Sequence, residues 1–380
     1  MSIVADDPPA RDTSQKTSLF SLLSNHLVLQ HTAPNLSARD RLALGATSRD
    51  FRHLIHGSPG VFRYLDLGAV KTAQFDLAPI DVGGEVWRNV QVDENVTEDD
   101  FYSGPLRGIF ATLQRRDILS NVQTLVLDGL SVTADLCNEI IADPRYNVRI
   151  LSVRGVKNLN ERRLRGALKY ACRPSRPAGT PKLKGLYIFT DPSRDEDGSD
   201  LWYDVKGRTI RRDVSLEWAD TMVDCQGLIA FDAVLCTGPR HLNSPVAGSL
   251  PDPALTGRPF PQWAVATDSL PPCEGCGAAP EGITTFEPST DRTQLPLLPG
   301  APNLSSSLKA ATFTASSSPS FIARCPACLE DRHCAACNKW WCETCYVPPL
   351  RSDLEPGYVT RKVWNGLCIS CGKARRSARP

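Results

Sequence analysis

The first part of the chain alternates apolar and polar residues with the period of short amphipathic helices. Residues 17–31 place leucines on one side of a predicted helix. Ser37 and Asp40 form a capping-box-like start for a second helix, and Ser48 begins a third helix that ends at the turn 57–60. These three short segments predict a small helical bundle.

A different apolar register repeats in the middle of the chain, in the order apolar-x-x-apolar-x-apolar. Its positions are Val122, Leu125 and Leu127; Val148, Leu151 and Val153; Leu183, Leu186 and Ile188; and Phe62, Leu65 and Leu67. The central leucines of the first two segments are 26 residues apart, which is within the range of leucine-rich repeats. Helices predicted after Thr133 and Asn160 lie between the strands. The pattern predicts an irregular leucine-rich-repeat-like solenoid or a generic α/β layer, and the run 227–234 is a further strand in a final repeat or cap.

Residues 21–67 resemble the F-box. An apolar first helix, a polar turn and a leucine-rich second helix are followed by a Ser-Arg-x-Phe-Arg turn at 48–52, a Ser-Pro and a strand-like Leu-x-Leu at 65–67. The usual Leu-Pro before the first helix is absent and the turn 30–37 is longer than is common, so an ordinary three-helix subdomain is the alternative. The resemblance implies docking to a ubiquitin-ligase adaptor subunit through Leu22, Leu23, Leu42, Leu44, Phe51 and Pro59.

An F-box followed by degenerate leucine-rich repeats is common in substrate receptors of cullin–RING ubiquitin ligases. The whole chain is similar to fungal F-box-domain proteins, most closely over residues 18–190. This similarity implies a non-catalytic subunit of an SCF-type ligase, with the adaptor subunit, the cullin complex and an unidentified protein substrate as partners. The sequence shows no catalytic triad, glycine-rich phosphate loop or carboxylate pair that would indicate a small-molecule enzyme.

Length and composition predict a multi-domain chain of the α+β class. The 380 residues suggest two or three domains, and 41% hydrophobic residues suffice for a core. No apolar run is long enough to span a membrane, and the polar N-terminus lacks a signal-peptide pattern, so the cytoplasm or nucleus is expected. The predicted regions are a disordered tail (1–16), an F-box-like domain (17–67), a leucine-rich-repeat-like region (68–265), a zinc-binding region (266–371) with a flexible loop (284–320), and a basic tail (372–380).

Ten of the 14 cysteines form five Cys-x-x-Cys pairs in the last third of the chain. The pairs are Cys273/Cys276, Cys325/Cys328, Cys334/Cys337, Cys342/Cys345 and Cys368/Cys371. Two intervening residues let a tight turn direct both thiolates at one ion, and two such pairs make a tetrahedral zinc site. A disulfide framework requires an oxidising compartment, a redox dithiol is typically a single pair, and iron–sulfur clusters use other spacings. All-cysteine ligation predicts closed, structural Zn²⁺ sites.

Several ways of combining the pairs remain open. An interleaved arrangement joins Cys325/Cys328 to Cys342/Cys345 and Cys334/Cys337 to Cys368/Cys371, as in ring-like modules. The alternative joins Cys273/Cys276 to Cys325/Cys328, as in a zinc ribbon. Two ions are expected, and a third would need a further donor, for which His333 is a candidate; a solvated loop histidine is the other interpretation. We expect Trp340 and Trp341 to pack in this region. Four further cysteines are expected to be buried thiols: Cys137, Cys172, Cys225 and Cys236.

Positive charge is concentrated between residues 145 and 184, although 43 basic and 42 acidic residues nearly cancel over the whole chain. Arg162, Arg163, Arg165 and Lys169 are predicted on the outer face of the helix that follows Asn160. We expect a solvated helix face that the acidic loop 191–200 partly neutralises, while binding of nucleic acid is a less favoured interpretation.

Two alternative functions follow from the same features. The cysteine pairs would form a ring-type module that recruits a ubiquitin-conjugating enzyme directly, although a ring usually includes a histidine ligand. A zinc-dependent nucleic-acid-binding regulator is the other alternative, based on the basic helix face and the basic tail. The favoured prediction is the non-catalytic substrate-recognition adaptor.

Overall fold

The computed structural model describes residues 18–74, 98–192, 207–249, 262–282, 322–348 and 361–377. The chain forms two compact units, Met1–Phe62 and Arg63–Pro380. The predicted boundaries after residues 67 and 265 differ from this division, because residues 64–66 belong to the sheet of the second unit and the cysteine-rich region shares that unit. The predicted tail 1–16 and loop 284–320 lie outside the described residues.

The first unit contains four α-helices within its described residues, and not the three that the sequence predicted. They are α1 (Leu19–Leu23), α2 (His26–Thr32), α3 (Ala38–Thr47) and α4 (Arg49–Gly57), with a 3₁₀ turn at Ala33–Asn35. The predicted first helix is divided because the Asn25 side chain accepts hydrogen bonds from the N–H groups of Leu27 and Val28 and caps a new helix.

The predicted caps of the other two helices are confirmed. Ser37 Oγ accepts a hydrogen bond from the Asp40 N–H at 3.1 Å, and Ser48 Oγ accepts one from the Phe51 N–H at 3.1 Å. Inside the unit, the buried Arg41 side chain donates to the carbonyl of Val61 and its guanidinium lies 5.3 Å from the centre of the Phe62 ring. The helices therefore surround a core that includes one buried cation.

The second unit is built on a five-stranded parallel sheet whose strands lie side by side in chain order. The strands are β1 (Tyr64–Asp66), β2 (Thr124–Val126), β3 (Ile150–Ser152), β4 (Gly185–Tyr187) and β5 (Ala230–Phe231). Within the described residues, a helix precedes each of the last four: α5 (Glu98–Arg115), α6 (Ala134–Ala142), α7 (Glu161–Ala171) and α8 (Glu217–Asp224). A fold of mixed helix and strand is therefore confirmed.

The register of the sheet follows the predicted apolar repeat. Leu65, Leu125, Leu151 and Leu186 are successive partners across the first four strands, and Phe231 in β5 continues the row. The four leucines are buried, as are the flanking apolar positions of the repeat. Thr133 and Asn160 cap α6 and α7 as predicted. Local periodicity thus placed the strands and the helices between them.

The basic face of α7 is paired with acidic residues of the neighbouring helices. Arg163 Nη1 lies 3.0 Å from Asp135 of α6, and Lys169 Nζ lies 3.1 Å from Asp224 of α8. The Arg165 side chain also contacts α8, with Nη2 3.7 Å from Glu217. Acidic residues of adjacent helices therefore neutralise part of the basic face of α7. The prediction had assigned this role to the acidic loop 191–200, of which residues 193–200 lie outside the described residues.

In the cysteine-rich part of the second unit, the described residues form short elements. They are the antiparallel pair β6 (Asp268–Leu270) and β7 (Ile322–Arg324), helix α9 (Pro326–Leu329), the hairpin β8 (Val363–Trp364) and β9 (Leu367–Cys368), and helix α10 (Ile369–Ser377). Residues 372–377 of the predicted basic tail therefore continue a helix. Trp340 is buried and donates its indole N–H to the carbonyl of Pro271, as expected for a packing residue. Within the described residues, no helix has the length and apolarity needed to cross a membrane.

Candidate metal centres

Three groups of cysteine and histidine side chains converge in the second unit, and each is suitable for binding a metal ion. Within each group the four candidate ligand atoms lie within 4.8 Å of one another. We name them site I (Cys236, His241, Cys325 and Cys328), site II (Cys273, Cys276, Cys342 and Cys345) and site III (Cys334, Cys337, Cys368 and Cys371).

The distances within the sites fit tetrahedral coordination. Metal–sulfur bonds of about 2.3 Å would place two sulfurs roughly 3.8 Å apart. The Sγ–Sγ distance is 3.9 Å between Cys236 and Cys328 in site I. It is 3.7 Å between Cys276 and Cys342 in site II and 3.7 Å between Cys337 and Cys368 in site III. A disulfide would need about 2 Å. Each site supplies four protein donors, so the sets are closed and leave no position for a substrate.

Site I combines three thiols with one imidazole. His241 Nε2 lies 3.4 Å from Cys325 Sγ and 3.3 Å from Cys328 Sγ, so this nitrogen faces the centre of the group. Cys325 immediately precedes α9, whose first residue is Pro326. A proline is favourable at this position because the first helical N–H has no partner within the helix.

Sites II and III share one turn geometry. In site II the N–H of Gly277 donates to the carbonyl of Cys273 at 2.8 Å, and in site III the N–H of Asn338 donates to the carbonyl of Cys334 at 2.9 Å. Both donors have a positive φ, 69° for Gly277 and 61° for Asn338. Glycine and asparagine are the residues that adopt this left-handed conformation at least cost.

The electrostatic surroundings favour thiolates at several ligands. Hydrogen bonds with Cys236 and Cys328 lower the pKa of the Cys325 thiol to about 3, although its burial acts in the opposite direction. Burial alone would raise the pKa of Cys334, but backbone N–H groups of Cys368, Cys337 and Ala336 lower it to about 7. Thiolate is the form that binds metal, so these N–H groups favour the metal-binding form of Cys334. The pKa is raised instead at the ligands Cys328, Cys337, Cys342, Cys345 and Cys371, which crowd against other thiols or are desolvated.

A buried ionic group connects the surroundings of sites I and II. Arg324, which precedes Cys325, is fully buried and pairs with Glu281; its Nε lies 3.5 Å from the buried Glu343, which is located between Cys342 and Cys345. Burial would lower the pKa of Arg324, but Glu343 and Glu281 raise it above its usual value. The Arg324 guanidinium also lies 5.4 Å from the centre of the Trp340 ring. The two sites therefore share a charged and aromatic support.

The observed pairing differs from the predictions in two of the three sites. Cys334/Cys337 and Cys368/Cys371 meet as predicted. The pairing of Cys325/Cys328 with Cys342/Cys345 was wrong, and so was the ribbon alternative with Cys273/Cys276, because Cys342/Cys345 and Cys273/Cys276 meet each other. The sites are nevertheless interleaved along the chain as predicted. In each site, the two halves of the ligand set are separated in sequence by ligands of another site.

Cys236 and His241 are the ligand candidates that the sequence analysis missed. Cys236 was predicted only as a buried thiol, and nothing in its neighbourhood resembles a Cys-x-x-Cys pair. His333, the predicted additional donor, instead has its Nε2 2.8 Å from Asn338 Oδ1. The signal that was available is the odd number of pairs: five pairs supply ten sulfurs, which fill two four-donor sites and leave one pair that needs two further donors.

The predicted adaptor-binding residues lie at different depths in the first unit. Leu22 and Pro59 are exposed, and Leu42, Leu44 and Phe51 are half-buried. Leu23 is only 4% exposed, so it packs inside the unit and its predicted role as a direct contact does not fit its position.

The comparisons with known proteins add no relative. No protein-family model matches the chain, and no curated protein is significantly similar to it.

Proposed function

We propose that this protein is the substrate-recognition subunit of an SCF-type ubiquitin ligase, with Zn²⁺ as the structural metal of its cysteine-rich region. The observation that carries the proposal is an apolar surface on α1 and α2, which we call the N-terminal apolar patch. It consists of Leu19, Leu22 and Leu27, whose exposed fractions are 61%, 46% and 65%.

The patch has the properties of an interaction surface. Single exposed leucines are ordinary, whereas contiguous exposed apolar patches mark protein–protein contacts, and Leu19 and Leu22 lie on one face of α1 because they are three residues apart. Beside Leu19, the ring of Phe20 is 37% exposed and packs edge-on against Phe51 at 5.4 Å between ring centres. This contact connects the patch to α4, so residues from several of the predicted adaptor-binding segments are available to one partner.

The second unit supports the role of a scaffold for substrate. Its short parallel strands follow chain order, and helices lie between them in the described residues, which is the arrangement expected for a leucine-rich-repeat-like solenoid. Such an adaptor acts by proximity, because it holds a target protein near a ubiquitin-loaded enzyme elsewhere in the complex. The chain's own residues then need to bind and orient the target and perform no bond chemistry.

The donor sets support zinc as the ion. Soft thiolate ligands with imidazole in a closed tetrahedral arrangement are the usual environment of structural Zn²⁺. The ligands would be the four residues of each site, and the ion would supply only a rigid crosslink between distant parts of the chain.

Binding to the adaptor subunit can be tested with the full chain and the recombinant adaptor. The double variant Leu22→Asp/Leu27→Asp should weaken the complex by more than about tenfold, because losing interface anchors typically costs 2 kcal/mol or more. The matched control is Leu216→Asp, which replaces a leucine of 61% exposure in the second unit. Circular dichroism would check that the variants are folded.

The proposal is contradicted if the wild type and the double variant bind the adaptor with equal affinity. It is also contradicted if neither of them binds the adaptor. Ubiquitin transfer by the purified chain without a cullin would instead support the ring-type alternative.

A further inference from the structure

Site I differs from sites II and III in its burial. Its four ligands, Cys236, His241, Cys325 and Cys328, are all at most 2% exposed. Site II contains the exposed Cys276 and site III the exposed Cys337. A chelator or competing thiol removes a metal by approaching an accessible ligand, so the surroundings of a site control the exchange of its ion.

The backbone around site I is shaped for the sulfurs. The N–H groups of Cys325 and Gly238 point at Cys236 Sγ, at 3.2 and 3.4 Å. Two donors on one sulfur are favourable when that sulfur is a thiolate. A Cβ atom at Gly238 would lie 2.7 Å from Cys328 Sγ, closer than real Cβ contacts allow. Only glycine therefore permits this approach of the backbone to the ligands.

The position of site I connects two differently built parts of the second unit. Cys236 follows β5, the last strand of the parallel sheet. Between them, Asp232 accepts hydrogen bonds from the N–H groups of Ile188 and Thr190, in the segment that follows β4. Cys325 follows β7 of the cysteine-rich part.

Backbone hydrogen bonds join these segments in several places: the Ala266 N–H donates to the carbonyl of Val234 and the Leu242 N–H to the carbonyl of Gln262, each at 2.9 Å. The Cys236 N–H donates to the carbonyl of Ala264 at 2.8 Å, and the Thr237 N–H donates to the carbonyl of Ala323 at 3.3 Å. The side chains packed around them are small: Ala264, Ala266, Ala323 and the cysteines, with the half-buried Val234 beside them. Such a cluster buries little apolar area, so a metal ion would add a strong crosslink to these hydrogen bonds.

We infer that site I is a metal clamp that joins the end of the parallel sheet to the cysteine-rich region and retains its ion when sites II and III are stripped. The ion class is Zn²⁺ or a tetrahedral substitute such as Co²⁺, held by three thiolates and the Nε2 atom of His241. The protein then has two loading states, with three ions or with one. This inference stands independently of the proposed adaptor function.

The test is native mass spectrometry of the full, zinc-loaded chain during incubation with EDTA. The wild type should begin with three ions, lose two and keep one. Loss of all three ions at one rate, or a starting count of two, would overturn the inference.

Two glycine variants form a matched pair for this experiment. Gly238→Ala should remove the chelator-resistant ion, because its Cβ meets Cys328 Sγ. Gly275→Ala should disturb only site II, where its Cβ would lie 3.0 Å from Cys345 Sγ, and should leave the resistant ion in place. Gly166→Ala, whose Cβ meets nothing within 4 Å, controls for the substitution itself. Retention of the resistant ion in Gly238→Ala would contradict the assignment.

A measurement on the wild type keeps the inference testable if Gly238→Ala does not fold. The chain is loaded with Co²⁺ and treated with EDTA, and the visible absorption of the remaining ion is recorded. The ligand-field bands should be those of three sulfurs and one nitrogen. Bands of an all-sulfur site would show that the retained ion belongs to site II or III, and the inference would fail.

Discussion

The parallel sheet and the cysteine-rich region belong to one unit but rest on different physical interactions. In the sheet, a row of leucines from successive strands is buried, and each strand pairs with its neighbour in the chain. In the cysteine-rich region, Cys273 and Cys342 share a small core with Trp340 and a few aliphatic side chains. The first region can fold by burying apolar surface, whereas the second would gain much of its stability from metal ions in its three candidate sites.

Complete removal of metal should therefore produce the largest effect and confine it to one region. Binding of a structural zinc ion is worth about 10–16 kcal/mol of folding free energy at neutral pH. We expect hydrogen exchange to show lost protection at the amides of residues 334–346 in the metal-free chain. The amides of β2, β3 and β4 should remain protected.

The control is the same chain after zinc is returned, in which protection of residues 334–346 should recover. If β2 to β4 lose protection together with the cysteine-rich region, the two regions do not differ in the way we describe, and the sheet also depends on the ions.

Replacement of a central leucine of the sheet should produce the second largest effect. Leu151 is fully buried between Leu125 and Leu186, so Leu151→Ala should lower the free energy of unfolding by about 2–5 kcal/mol through lost burial and a residual cavity. Urea denaturation of the zinc-loaded protein measures this change.

The matched variant is Leu216→Ala, at an exposed leucine, which should change the free energy of unfolding by no more than about 0.5 kcal/mol. Both variants should keep their full metal content. A loss of metal from Leu151→Ala would contradict the comparison, because it would show that the cysteine-rich region depends on the packing of the leucine core.

This difference also explains what the sequence could reveal. The register of Leu65, Leu125, Leu151 and Leu186 was predictable because each strand carries its own apolar pattern and pairs with the next strand. The caps at Ser37 and Ser48 were predictable for the same reason, since a cap is decided within four residues. These features are local in the chain.

The combination of ligands was not predictable, because every Cys-x-x-Cys pair presents the same two sulfurs and the chain between the pairs decides which ones meet. His241 and Cys325 are 84 residues apart, and the sequence neighbour of His241 in site I is Cys236, which stands outside every Cys-x-x-Cys pair. The division of the first predicted helix was missed because the apolar period continues through Asn25, while its side chain caps a new helix. Tertiary contacts and a single polar side chain outweighed the pattern.

The smallest expected effect concerns the ion pairs between the helices that cover the sheet. Arg163 and Asp135 join α7 to α6, but their side chains are 67% and 53% exposed, so water and salt screen the attraction. A double-mutant cycle with Arg163→Ala and Asp135→Ala should give a coupling of about 0.2–1 kcal/mol that decreases with added salt. A coupling as large as the loss from Leu151→Ala would show that charge holds these helices on the sheet. A small coupling would instead support the view that burial of the leucine row stabilises this region. The ion pairs would then neutralise the basic face of α7 while adding little to the free energy of unfolding.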